Sequence, residues 1–294
     1  MWRAMQTGRL AFGAGRPGLF VVGLLALLQV GCHGTAESLG LSPNRDLNTA
    51  ERSRLGLVWV LPGIEGESGF NHSIARGLAS GGVPGAIRIY DWGNGVPGAY
   101  LLNLSMYDRN RARARELAAS LALAVKEDPQ RQVDIVAHAG GCAMALWMLE
   151  ALPAGVAVDN VVLINPLVSV DYNLVPALQR VRGRMAAFYS RRDMGFLFAG
   201  PGVLGTMDRR WEASAGQRGF RLPMHVSSDG IRLYQEKLDQ VAWNEGMAEV
   251  GNHGLDVTSS AEPFVRRWIA PRLLRYERPP PAEAVRPVRL EMIP

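Results

Sequence analysis

The sequence predicts an α/β fold: a doubly wound, mostly parallel sheet of roughly six strands with helices on both faces. Two observations carry this prediction. Short apolar runs rich in β-branched residues recur along the chain, the mark of strands buried on both faces, and stretches with helical spacing separate them. Such alternation implies right-handed crossovers between parallel neighbours. A third observation sets the size: the chain has 294 residues, 48% of them hydrophobic, with no internal repeat, which suits one sizeable core.

The first predicted strand is Leu55 to Leu61, halted by Pro62-Gly63. A helix follows from Asn71, with Ile74 and Leu78 on one face and Gly81-Gly82 as its stop. Ala86 to Tyr90 reads as the second strand, Asp91 to Pro97 as a turn-rich loop, and a long helix from about Asp108 directs Leu117, Leu121 and Val125 at the sheet. Val133 to His138 is the third strand, Val158 to Ile164 the fourth, ending at Asn165-Pro166, and Met185 to Tyr189 the fifth. Met194 to Arg221 is long and poorly periodic, either a small lid over the strand ends or a surface excursion. A helix near Gly230 to Leu238 leads to a last strand within Gln240 to Val250. The final helix starts at Ser259, whose spacing to Glu262 is that of a capping box, and buries Val265, Trp268 and Ile269.

The ends carry different information. Arg3, Arg9 and Arg16 precede an apolar run from Leu19 to Val30 that is too short to span a bilayer as a helix, so residues 1–31 read as a removable export signal. Leu28-Gln29-Val30-Gly31-Cys32 resembles the lipobox of bacterial lipoproteins, which implies lipidation of Cys32 and a membrane-anchored product on the periplasmic or outer-membrane side. An ordinary secreted protein is the alternative. Residues 32–54 fit a polar linker, 55–277 the folded domain and 278–294 a Pro-rich tail. With Cys32 lipidated, Cys142 has no disulfide partner.

The net charge of +5 is almost all arginine, since Lys126 and Lys237 are the only lysines. Arg109, Arg111, Arg113 and Arg115 alternate instead of lining one helix face, which fits a solvated surface, and no nucleic-acid module is recognisable. Five scattered histidines form no metal-binding spacing, and the glycine-rich stretches lack the Lys and Ser/Thr of a phosphate loop, so neither a metal nor a cofactor is implied.

The chemistry centres on Ala137-His138-Ala139-Gly140-Gly141, a small-residue turn between a strand and a helix. It resembles the nucleophile elbow of the α/β-hydrolase superfamily, in its serine hydrolase and esterase-like branch, with Ala139 where that family has its serine. The resemblance covers roughly Leu55 to Leu274 and implies an acid after a later strand and a histidine after the last one. Asp193, with Asp171 as the alternative acid, and His253 stand at those places. It also implies an oxyanion hole from the backbone N–H groups of Ile64 and Gly140. His138 reads as a packing residue, Cys142 as a small buried one, and Ser68 and His72 as polar groups of a loop and first turn.

The expectation is a degenerate serine hydrolase that keeps an ester- or acyl-sized pocket without forming an acyl-enzyme. Two alternatives stay open: an active hydrolase using another nucleophile or histidine-activated water, and a structural or partner-binding lipoprotein.

Overall fold

The computed structural model describes residues 44–96, 100–193 and 205–274. Six parallel strands form one sheet in the order β2-β1-β3-β4-β5-β6, where β1 is Leu57–Leu61, β2 Ala86–Ile89, β3 Val133–His138, β4 Val161–Ile164, β5 Met185–Tyr189 and β6 Leu238–Ala242. The class and strand number are those expected from the alternating apolar runs.

Alternate side chains along each strand leave by opposite faces, and both faces are buried. Leu57, Trp59, Leu61, Ile135, Ala137 and Leu163 enter one core layer, while Val58, Val60, Val136, Val162, Ile164 and Phe188 enter the other. The first layer is covered by α2, Tyr107–Glu127, and α3, Gly140–Glu150. The second is covered by α1, Gly69–Ser80, and by the C-terminal run in which Glu262–Phe264 passes through a π-helical turn, Val265–Ile269, into Ala270–Leu274. Because β1 has β2 on one side and β3 on the other, the chain reverses its winding between β1 and β3. The crevice outside the carboxyl ends of those two strands is where an open α/β sheet places ligands.

Several boundaries differ from the sequence reading. The last strand is short, Leu238–Ala242, and the chain then turns into the helix Glu245–Ala248 because Asn244 opens a new helical turn. The C-terminal helical run begins after Ala261 and not at Ser259, whose hydroxyl is engaged elsewhere. Asn44 to Arg54, read within a linker, and Leu55, read as the start of the first strand, carry a 3-10 turn, Arg45–Leu47, and a helix, Ala50–Leu55, and Leu47 is buried in the second core layer. Arg109 and Arg111 are less solvated than their alternating pattern suggests: Arg109 donates to the Trp92 carbonyl at 2.7 Å, and Arg111 pairs with Glu150 at 2.9 Å. The leader, Cys32, residues 194–204 of the possible lid, and the tail from 278 lie outside the described residues.

Candidate active site

The turn after β3 is the most strained point of this edge. Ala139 has φ +47° and ψ −114°, a conformation that residues with a Cβ rarely adopt. It persists because both sides are clamped. The Ala139 N–H donates to the Ile164 carbonyl at 2.9 Å, and a Cβ at Gly141 would overlap the carbonyl oxygens of Leu61 and Pro62, so α3 is pressed against the end of β1. A Cβ at Gly140 would lie 2.6 Å from the Ile64 side chain and 3.4 Å from the Ile64 nitrogen. The two backbone amides expected to act as oxyanion donors therefore come from segments in direct contact.

His138, the last residue of β3, is 1% exposed and meets the loop that follows β6. Its Nε2 lies 3.2 Å from Ser259 Oγ and 3.3 Å from Asp256 Oδ1. Ser259 Oγ also donates to the Asp256 carbonyl at 2.6 Å, and Asn165 Nδ2 donates to Asp256 Oδ1 at 3.4 Å. Asn165 ends β4 with φ +50°, so a second strained residue delivers a side chain to the same cluster. A serine, a histidine and an aspartate thus form a contiguous, buried cluster, supplied by β3 and by the loop after β6.

This finding overturns the expectation of a degenerate hydrolase. The sequence places the expected nucleophile position at Ala139, whereas the tertiary structure brings a serine, Ser259, to His138. His253, expected as the base, is exposed, and its backbone N–H donates to Thr258 Oγ1 at 3.1 Å. Asp193, expected as the acid, is buried and accepts the Asp256 N–H on Oδ2 at 2.6 Å, so it ties down the loop that carries Asp256. Asp171, the alternative acid, is exposed. His138, read as packing, is the histidine of the cluster. Ser259, read as a helix cap, is its serine. The Ser-x-x-Glu spacing was a real signal with another explanation, and the adjacent Asp256 and Ser259 offered no motif of their own.

The electrostatics follow from burial and proximity. Desolvation disfavours the His138 imidazolium, but the charge and hydrogen bonds of Asp256, aided by the charge of Glu65, outweigh it and raise the pKa to about 9. The half-buried Glu65 has its carboxyl pushed up by desolvation and by the charge of Asp256, against the opposing pull of His138. Cys142 is fully buried in α3, its Sγ 3.3 Å from the Ala137 carbonyl, and desolvation pushes its thiol up, away from the reactive thiolate. Ser68 is the N-cap of α1 and donates to Asn71 Oδ1 at 3.2 Å, while His72 is paired with Asn44 at 2.8 Å and with Glu67 at 3.3 Å. Among the described residues no group of three His, Cys, Asp or Glu side chains could hold a metal ion.

No protein-family profile and no curated protein matches the chain. Among solved structures it is similar to Aspergillus fumigatus lipase B, with 12% identity and a TM-score of 0.49, over 77% of this chain and 54% of that one. The chain therefore spans about half the length of that lipase. It is also similar to a dienelactone hydrolase-like promiscuous phosphotriesterase from metagenomic libraries, with 16% identity and a TM-score of 0.43, over 71% of this chain and 82% of that one.

Proposed function

We propose that the chain is an active serine hydrolase of carboxylic esters or related acyl compounds, with Ser259 as nucleophile, His138 as general base and Asp256 as the acid that holds the imidazolium. The observation that carries this reading is the 3.2 Å contact between Ser259 Oγ and His138 Nε2 with the Asp256 carboxylate beside it. Once His138 is neutral, rotation of the Ser259 hydroxyl away from the Asp256 carbonyl turns its proton toward Nε2. The oxygen then attacks the acyl carbon, Nε2 takes the proton, and the proton passes to the leaving group as the carbonyl re-forms. Ile64 and Gly140 offer backbone N–H groups for the developing oxyanion. Ser259 is 1% exposed, so an acyl group reaches it only once the side chains that cover it move aside.

A serine-directed fluorophosphonate, followed by mass spectrometry of the labelled peptide, tests the assignment. The expected label is on Ser259, lost in Ser259→Ala and in His138→Gln, with hydrolysis of a chromogenic short-chain ester falling at least about a thousandfold in either variant. A label on another residue, or undiminished turnover in folded Ser259→Ala, would overturn it.

The address is proposed on separate grounds. The charged leader and the lipobox-like segment before Cys32 support export and anchoring through a lipidated Cys32. Mass spectrometry of the mature N-terminus checks this: a diacylglyceryl-modified Cys32 is expected, and an unmodified Cys32 behind an intact leader excludes it.

A further inference from the structure

The two nitrogens of His138 are unequally used. Nε2 faces Ser259 Oγ at 3.2 Å, Asp256 Oδ1 at 3.3 Å and the Asp256 carbonyl at 3.4 Å, whereas Nδ1 is buried with no hydrogen-bond partner among the described residues. Serine and aspartate therefore compete for one nitrogen. A relay works with the nucleophile on one ring nitrogen and a carboxylate on the other, because the carboxylate then fixes the tautomer that leaves Nε2 free to accept a proton.

A second carboxylate stands in the same cluster. Glu65 follows β1 in the loop whose Ile64 packs on Gly140, two residues beyond His138. Its carboxyl lies over Gly63, where a Cβ would overlap it, and it accepts the Ser68 hydroxyl at 3.5 Å. His138 and Glu65 act on each other electrostatically, each favouring the other's charged form. The groups facing His138 among the described residues are Asp256 and Ser259 from the loop after β6, Glu65 from the loop after β1, and the Phe70 ring from the start of α1, 6.4 Å between ring centres. Only one of these besides Asp256 is a carboxylate.

We propose that Glu65 is the positioning residue of this site: in the working state its carboxylate takes the N–H of His138 Nδ1, so that Nε2 serves Ser259 while Asp256 holds the serine loop. In the proton transfer, the Ser259 proton moves to Nε2 and the Nδ1 proton stays on the ring, shared with Glu65. The pairing is a property of the fold, and its catalytic consequence rests on the hydrolase reading above.

The test uses the full chain with 15N-labelled histidine, in wild type and Glu65→Gln. Titration of the His138 ring nitrogens by NMR is expected to show midpoints at lower pH in Glu65→Gln, with loss of the hydrogen-bonded Nδ1 proton signal. In the ester assay, the high-pH plateau of kcat/KM is expected to fall at least about tenfold in Glu65→Gln, and its rising limb to move to lower pH. A merely structural Glu65 would lower the melting temperature and leave the His138 midpoint where it is. An unchanged midpoint in folded Glu65→Gln overturns the proposal. Should the midpoints move while no variant, wild type included, hydrolyses ester or labels at Ser259, the hydrolase reading fails and the pairing stands. Should wild type label at Ser259 while Glu65→Gln keeps both midpoint and rate, the pairing alone fails.

Discussion

Strand β3 carries a buried ionisable side chain near each end, and the two are built differently. Asp134, near its start, has every carboxylate oxygen satisfied: Oδ2 accepts Gln132 Nε2 at 2.7 Å, and Oδ1 accepts the backbone N–H and side-chain amide of Asn160 at 2.9 and 3.0 Å. Gln132 in turn donates to the Leu273 carbonyl at 2.9 Å, which ties the strand to the C-terminal helix. His138, at the other end, has one ring nitrogen overcommitted and the other without a hydrogen-bond partner among the described residues, and it is followed by Ala139 at φ +47°. A satisfied polar network stabilises, whereas an unsatisfied group beside a strained backbone marks chemistry. Burial alone does not separate the two, since both side chains are almost fully buried.

The comparison sharpens most through pH. A His138 pKa of about 9 leaves little neutral base at pH 7, so kcat/KM is expected to rise about tenfold per unit at first, roughly fiftyfold between pH 7 and 9, then level off. A flat profile across this range would show that His138 is not the base.

Stability should depend on pH in two adjoining windows with the same sign. His138 has a folded pKa raised above its unfolded value, so its contribution is complete below about pH 6.5 and is lost as pH rises through about 9. The loss is on the order of 3 kcal/mol, read as a falling urea midpoint, and His138→Gln should abolish it. The carboxyl of Asp134 is raised from 3.8 to about 7 by desolvation, so the folded state holds a proton that the unfolded state has released, and stability falls from about pH 4 to 7 and is then level. Asp134→Asn should remove that earlier slope and leave the later one.

Truncation separates the two ends of the strand by a smaller margin. Asp134→Ala strips three donors of their acceptor and is expected to cost about 2 kcal/mol in chemical denaturation, with ester turnover per folded molecule unchanged. A loss of turnover without a loss of stability would mean that the network reaches the active site.

The smallest effect belongs to the strained turn. Ala139→Gly relieves a positive φ but adds freedom to the unfolded chain, for a net gain of about 0.5 kcal/mol. A destabilised Ala139→Gly would show that the Ala139 methyl contributes packing that outweighs its backbone strain.

What the sequence determined alone was local and periodic. Strand positions followed from apolar runs, the sharp turn at Ala139 from its small residues, and the burial of Cys142 from its place one turn into a helix packed on the sheet. The close approach of Ile64 to Gly140 was legible only through a resemblance, because it depends on β1 and β3 being neighbours. What the tertiary structure decided was which polar groups meet. His138 and Ser259 are 121 residues apart and His138 and Asp256 are 118, so no spacing rule links them. The local pattern also pointed elsewhere. Ser259 to Glu262 has the form of a helix cap, but the helix starts after Ala261, and the hydroxyl is instead bonded to Asp256 and His138. His253 carries the glycine-flanked signature of a loop histidine, yet its exposed ring lies outside the cluster that its neighbours Asp256 and Ser259 enter. A side chain's local signature reports the conformations open to it. Its partner is chosen by packing, because a buried imidazole must find hydrogen bonds among whatever groups the fold brings to it.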